Sequence, residues 1–409
     1  MGTPLRIDPE QRFTCSQCGR CCHGWDVFVS EAEIASYRRR QAASWFRETG
    51  QEAEGTDRDP FEPMPDFPGL HRIRRRDDGG CGFLSSANRC RIHEELGADR
   101  KPLTCRMFPF TFRPAPDAIV VTASFGCPTI VANGGRPVAS SSGAAELESL
   151  RREWSATRSA TAMPRELVAG RPIESRSLRI LREHLLAIWK TDAADIRINV
   201  RRIAAALDDL TRSRVLSLPP ADFAEYIALT LPYAAANTAS PPARPAGTIG
   251  RMLQYGFLYA VAATRLSAER KEQSRAQIRL ALVQLLAHFH RLAPGLDRIN
   301  VGKLAGTTVD INAPEIRPIV FHYVRSSLES LGGRTRPVID DLAIAMSYLN
   351  AARSLAVMNA VPGQTVDREA FIEALMESVL MSHTDPRGLL EGILRRLAGG
   401  TEALWVVGS

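Results

Sequence analysis

Residues 128–409 contain no cysteine; all eight lie between Cys15 and Cys127. The chain also lacks any run of about 18 apolar residues, so no membrane span and no membrane partner are expected. Residues 1–13 hold no apolar h-region, so no secretory signal is expected either. Without export the expected compartment is the cytoplasm. Clustered cysteines in that reducing setting serve metals or redox chemistry rather than structural disulfides. Lysine is scarce: Lys101, Lys190, Lys271 and Lys303 are the only lysines among 52 basic side chains. The net charge of +7 and the pI of about 9.1 therefore rest on arginine, spread evenly as GC-rich codons would spread it. The runs Arg38-Arg39-Arg40 and Arg74-Arg75-Arg76 are short and no aromatic-interleaved basic stripe exists, so no nucleic-acid partner is expected.

Several catalytic signatures are missing as well. There is no Gly-rich strand-to-helix fingerprint; Gly247-Thr248-Ile249-Gly250 has the wrong spacing and no strand before it. The C-x3-C-x2-C radical spacing, a G-x-S-x-G elbow, a P-loop and an EF-hand loop are absent. His71, His184, His288, His290, His322 and His383 show no HExxH spacing and read as solvated or core residues. Asp208-Asp209 and Asp340-Asp341 read as solvated helix faces. No catalytic residue is assigned.

With 409 residues, 44% of them apolar and 24% charged, the chain is an ordinary globular protein of two or three domains, at roughly 100–200 residues each. The expected fold is mainly α. A small irregular cysteine-rich metal-binding module (residues 1–130) precedes an all-α domain (residues 144–400), with a Gly-, Ser- and Ala-rich linker at about 131–143. In the module, Ser30-Glu31-Ala32-Glu33 predicts a capping box opening a helix to about Trp45. Residues 49–69 read as a loop, and Ile119-Val120-Val121 as a strand. Beyond the linker, Leu178, Leu181, Leu185, Ile188 and Trp189 recur at helical spacing, as do Ile196, Val200, Ile203, Leu207 and Leu210. Pro219-Pro220-Ala221-Asp222 starts another helix and residues 241–245 break the chain. Further helices are expected at about 247–266, 268–292, 315–331, 336–359, 367–383 and 387–398.

The chemistry concentrates in Cys15-Ser16-Gln17-Cys18-Gly19-Arg20-Cys21-Cys22. Two intervening residues let a turn aim both thiolates at one metal, at about 2.3 Å for zinc. Gly19 stands where such a turn needs positive φ. Cys81, Cys90, Cys105 and Cys127 follow. Zinc tetrathiolate sites and [4Fe–4S] clusters each take four ligands, so eight cysteines suffice for two centres. Adjacent Cys21 and Cys22 are expected to diverge. The first three cysteines match the C-x2-C-x2-C part of a ferredoxin run, and Cys127-Pro128 supplies a distant Cys-Pro, which leans toward iron–sulfur. Thiolate ligation suits both. His23, read as a loop residue, and His93, on a short helix, are the nearby imidazoles.

Cys15-x-x-Cys18-Gly19-x-Cys21-Cys22, Cys81-Gly82-Phe83-Leu84, Cys90-Arg91-Ile92-His93 and Pro102-Leu103-Thr104-Cys105-Arg106-Met107-Phe108-Pro109-Phe110 resemble the CxxCxxCC family, the YkgJ-type zinc- or iron-chelating domain, over about residues 12–130. The long architecture, with Cys90-Arg91-Ile92-His93-Glu94-Glu95-Leu96-Gly97 and Ser124-Phe125-Gly126-Cys127-Pro128, is similar to flagellin lysine N-methylase. That resemblance implies protein lysine N-methylation with S-adenosylmethionine as cofactor and a protein substrate such as flagellin. The alternative is a non-enzymatic zinc- or iron-chelating or redox protein whose helical domain binds a partner. On either reading the expected metal ligands are Cys15, Cys18, Cys21, Cys22, Cys81, Cys90, Cys105 and Cys127, and replacing Cys18 by Ser is expected to lose metal.

Overall fold

The capping box forms as its residues dictate. In the computed structural model, Ser30 Oγ accepts the Glu33 N–H at 3.3 Å and Glu33 Oε2 accepts the Ser30 N–H at 2.8 Å. Two of the helix's otherwise unpaired N–H groups are thereby satisfied. The structure describes residues 3–24, 26–39, 59–65, 67–76, 78–115, 117–156, 165–191, 194–236, 309–333, 336–359, 365–384, 404 and 407. The helix opened by Ser30 runs over Glu31–Arg39; its expected continuation to Trp45 lies outside those residues. So do the helices expected at 247–266, 268–292 and 387–398 and the break at 241–245.

Two compact units divide the chain. Ile7–Phe112 and Asn133–Thr161 form a cysteine unit; Met1–Arg6, Arg113–Ala132 and Ala162–Ser409 form a helical unit.

In chain order, β1 (Leu5–Arg6) belongs to the helical unit. The cysteine unit then supplies β2 (Arg12–Phe13), α1 (Cys21–Gly24), β3 (Phe28–Ser30), α2 (Glu31–Arg39), β4 (Phe61–Pro63), β5 (Leu70–Ile73), α3 (Arg91–Leu96) and α4 (Leu103–Met107). Strand β6 (Phe110–Pro114) carries the chain onward to β7 (Ile119–Ala123) and α5 (Pro128–Val131) in the helical unit. The cysteine unit closes with β8 (Arg136–Pro137) and α6 (Ser141–Ala156).

Its main sheet has the order β3-β5-β4, antiparallel throughout, with Val29 opposite His71 and Phe61 opposite Ile73. Alternation along β3 exposes Phe28 and buries Val29. Strand β4 corrects the expected loop at 49–69. Pro60 and Pro63 make that stretch read as irregular, but β4 is an edge strand, where proline costs no internal ladder bond. Likewise the expected linker at 131–143 holds β8, paired with β2, and the start of α6.

The helical unit continues with the hairpin β9 (Glu166–Val168) and β10 (Arg171–Pro172), then α7 (Ser175–Lys190), α8 (Ile196–Leu210), α9 (Ser213–Leu216), α10 (Pro220–Ala236), α11 (Arg317–Glu329), α12 (Val338–Asn359) and α13 (Arg368–Thr384). The periodic apolar residues of α7 and α8 are all buried, as an amphipathic stripe requires. Trp189 is fully enclosed; it stacks on Phe321 and donates to that residue's carbonyl at 3.0 Å. Helix α12 is buried almost all round and packs against α13. Asp341 on α12 therefore corrects the solvated reading of Asp340-Asp341: it is 6% exposed and pairs with Arg336 at 3.4 Å. Among the described residues no helix is long and apolar enough to cross a membrane.

Candidate metal centre

Sheet and helix α2 bury Val29, Ile34, Tyr37, Phe61 and Ile73 in one small core. Cys81, Phe83, Leu84 and Ile92 belong to the same core, and Cys22, Cys90 and Cys105 pack against it. The chain between Arg74 and Arg91 makes two tight turns to achieve this. The first is closed by the Arg75–Cys81 bridge, the second by the Leu84–Cys90 bridge. The Arg74-Arg75-Arg76 run holds the first turn. Arg74 pairs with Glu62; Arg75 reaches Asp26 at 3.0 Å and the carbonyls of His23 and Gly79; Arg76 pairs with Asp78 and donates to the Leu84 carbonyl at 2.7 Å. These arginines are spent on backbone carbonyls and carboxylates within the fold.

Asn88, at the tip of the second turn, fastens the first cysteine loop. Its Nδ2 donates to the Cys18 carbonyl at 2.7 Å and its Oδ1 stands 3.1 Å from His23 Nε2. The Cys22 carbonyl accepts the Cys81 N–H at 2.7 Å, which ties the same loop to the first turn. Gly19 has φ +69 as its spacing predicts, and a Cβ there would meet the Asn88 side chain at 2.5 Å. We expect Gly19→Ala to cost about 2 kcal/mol, from the left-handed backbone and the displaced Asn88. Gly69→Ala is the control: φ there is +81 with nothing within 4 Å. Equal melting temperatures for the two variants would refute the Asn88 clamp.

Helix α2 places Cys105. Glu33 Oε1 accepts the Leu103 N–H at 2.8 Å at the head of α4, and the Tyr37 hydroxyl donates to the Arg100 carbonyl at 2.8 Å. Arg106 then locks α4 to α6 through a two-pronged bond to Glu153 at 2.9 and 2.6 Å.

The sulfurs accept backbone N–H groups two residues downstream: Cys15 from Gln17 at 3.4 Å, Cys81 from Phe83, and Cys90 from Ile92 and also His93. Such donors favour the thiolate, the form that binds metal. Opposing forces are strong. Burial pushes Cys81 up to about 12, with the Phe83 N–H countering and the charges of Cys90 and Cys21 adding. Burial also raises Cys90 and Cys105, and Cys105 feels Cys81, Cys90 and Cys21. Cys21 is raised first by its hydrogen bond with Cys22, then by burial. Lys101 counters thiolate charge at Cys21, Cys90 and Cys105.

Cys22, Cys81, Cys90 and Cys105 thus gather around one core and feel the charge of half-buried Cys21, whereas Cys15 and Cys18 of the same unit are exposed. Cys127 belongs to the helical unit, buried as the N-cap of α5. Its neighbour Pro128 has a local reason to be there, since proline suits the first turn of a helix. The Cys-Pro pair consequently loses its force as a ferredoxin signal. His23 lies in α1 rather than in a loop, exposed and engaged with Asn88; His93 lies on the short helix α3 as expected. Among the described residues, no three His, Cys, Asp or Glu side chains already form a metal cage. The donor set nonetheless fits a soft metal. It is all sulfur, partly desolvated, supplied with N–H donors, and relieved of mutual repulsion only by a cation. Asn88 and Lys101 escaped the sequence reading as parts of the site, and Glu33 entered it only through the capping box, not as the acceptor for Leu103. Asn88 left a signal of its own, the turn Ser85-Ser86-Ala87-Asn88 before Cys90.

Residues 14–128 match the CxxCxxCC family model, whose description reads "Putative zinc- or iron-chelating domain". The matched domain spans all eight cysteines, from just before Cys15 to just after Cys127. No curated protein and no solved structure matches the chain. The resemblance to flagellin lysine N-methylase is supported by no homologue.

Proposed function

We propose that the cysteine unit binds a zinc or iron–sulfur centre through four of the thiols of Cys21, Cys22, Cys81, Cys90 and Cys105. One observation carries this reading: four cysteines from four separate chain segments, Cys22, Cys81, Cys90 and Cys105, pack on a single small apolar core, and the charge of Cys21 reaches Cys81, Cys90 and Cys105. Zinc would supply a structural crosslink, and an iron–sulfur cluster would add one-electron chemistry. The chain's own residues do the rest. The core formed by Phe83, Leu84 and Ile92 shields the sulfurs, backbone N–H groups at Cys81 and Cys90 favour the thiolate against burial, and Lys101 offsets negative charge at Cys90 and Cys105. Anaerobic purification followed by metal and acid-labile sulfide analysis tests it. Zinc without sulfide marks a tetrathiolate site; iron with equal sulfide marks a cluster; protein that holds neither metal overturns the reading.

Lysine methylation with S-adenosylmethionine, on flagellin or another protein, has no residue assigned to it. Titrating the metal-loaded chain with S-adenosylmethionine tests that activity separately. Saturable binding would add it to the metal reading. Absence of binding would leave chelation or electron transfer, with the helices as a partner scaffold.

A further inference from the structure

Within the helical unit, arginines from distant segments hold the turn Leu331-Gly332-Gly333 that follows α11. Arg6 Nη2 donates to the Leu331 carbonyl at 3.1 Å and Arg165 Nε to the Gly332 carbonyl at 2.6 Å. Arg165 Nη2 also donates to the Pro114 carbonyl. Cations commonly cap the last carbonyls of a helix in this way. Capping does not account for the donors left over. Arg165 is 4% exposed, and its Nη1 is buried with no hydrogen-bond partner; Arg6 Nε is buried in the same state. A third guanidinium belongs to the same place. Leu178 of α7 packs so closely on Gly332 that a Cβ there would collide with it, and Arg182 follows Leu178 by one helical turn on the same face. Arg182 is 7% exposed, and among the described residues no hydrogen bond or ion pair engages it. Burial first, and then the charge of Arg182, lower the pKa of Arg6 to about 10, against Asp117 and Glu329. Asp117 is engaged by Arg6 at 3.4 Å, and Asp341, whose charge also acts on Arg165, by Arg336 at 3.4 Å. A buried cation with no counter-charge is costly to hold, and an incoming anion would relieve it.

We propose that Arg182, together with Arg6 and Arg165, forms a binding site for the phosphoryl group of a small phosphate compound. The chemistry favours a tetrahedral anion. The three guanidinium groups come from β1, from the residue before β9 and from α7. Oxygens pointing in several directions can serve all of them, whereas a planar carboxylate is matched by a single fork. Burial favours a small ligand, since a surface built for nucleic acid or a membrane would leave these side chains exposed. The site does not depend on the cysteine unit, so it stands or falls apart from the metal reading.

The test titrates the full-length chain with inorganic phosphate, glycerol phosphate and acetate, by calorimetry and by thermal unfolding, with ionic strength held constant by sodium chloride. We expect saturable phosphate binding and a melting temperature raised by about 5 °C at a hundredfold excess over Kd. Tighter binding of glycerol phosphate would mark an esterified ligand, and tighter binding of inorganic phosphate the free ion. Arg182→Gln removes an unpaired buried charge, so without ligand it should melt no lower than the wild type. It should also bind phosphate at least about tenfold more weakly, as the loss of a charge-assisted hydrogen bond implies. Arg182→Lys keeps the charge without the fork and should fall between the two. A wild type with no saturable phosphate binding overturns the proposal, as does acetate bound as tightly as phosphate or an Arg182→Gln chain with wild-type affinity. Should the glutamine variant fail to fold, wild-type affinity in Arg182→Lys would refute the site in its place.

Discussion

Cys81→Ser is expected to abolish tight metal binding and to unfold the cysteine unit. Cys81 is 9% exposed and belongs to the core it would share with the metal. Serine removes a soft ligand and leaves a hydroxyl in an apolar site, which costs about 1–3 kcal/mol before any metal is counted. The metal's contribution is larger. Structural zinc contributes about 10–16 kcal/mol of apparent folding free energy in small domains, against a total stability of about 5–15 kcal/mol for a typical domain. Losing one of four thiolates therefore tips the balance for a unit whose core is this small. The readouts are metal content and hydrogen-exchange protection of the Val29 and Ile73 amides, which sit in the β3-β5-β4 sheet. Cys127→Ser supplies the contrast: it alters the helical unit and should leave metal content intact. Wild-type metal stoichiometry in Cys81→Ser would sink the assignment.

What could be read in advance follows the range of the forces involved. Ser30 and Glu33 are three residues apart, and their reciprocal bonds need nothing from the rest of the chain. Leu178, Leu181, Leu185, Ile188 and Trp189 declare helix α7 because burial repeats with the helical turn. Phe61 is different. Its membership of a strand comes from Ile73, and the prolines around it suggest a loop when read alone. Asp341 looks like half of a solvated pair until Arg336 and a buried helix face are known. The cysteines divide along the same line. Spacing identifies residues able to chelate, but the grouping of Cys21, Cys22, Cys81, Cys90 and Cys105 apart from exposed Cys15 and Cys18 is set by two turns and by Asn88. No local pattern ranks eight similar thiols by burial.

The helical unit is expected to lose stability as pH falls from about 6.5 toward about 4, with His322 as the cause. His322 is 4% exposed on α11, beside the ring of Phe125 at 5.2 Å. Arg325 Nη2 donates to its Nδ1 at 3.2 Å, so that nitrogen carries a lone pair and Nε2 carries the proton. Nε2 then donates to the Ile130 carbonyl at 3.0 Å. Burial lowers the imidazole's pKa to about 4; the Arg325 charge adds to the fall, and the bond to Ile130 opposes it. Because the folded state resists the proton that the unfolded chain accepts near 6.5, the stabilisation is complete above that pH. It is lost progressively on acidification to about 4. The interval corresponds to about 3 kcal/mol. Urea unfolding at pH 7 and pH 4.5, followed by tryptophan fluorescence, measures the loss. His322→Gln keeps a donor for Ile130 and an acceptor for Arg325 but does not titrate, so its stability should change less across the same interval. The sequence places His322 in a helix but not beside Ile130, a partner 192 residues earlier in the chain. An unchanged pH slope in the variant would shift the acid sensitivity from this histidine to carboxylates such as Asp195, whose hydrogen bonds with Arg197 and Asn312 hold its pKa down against burial.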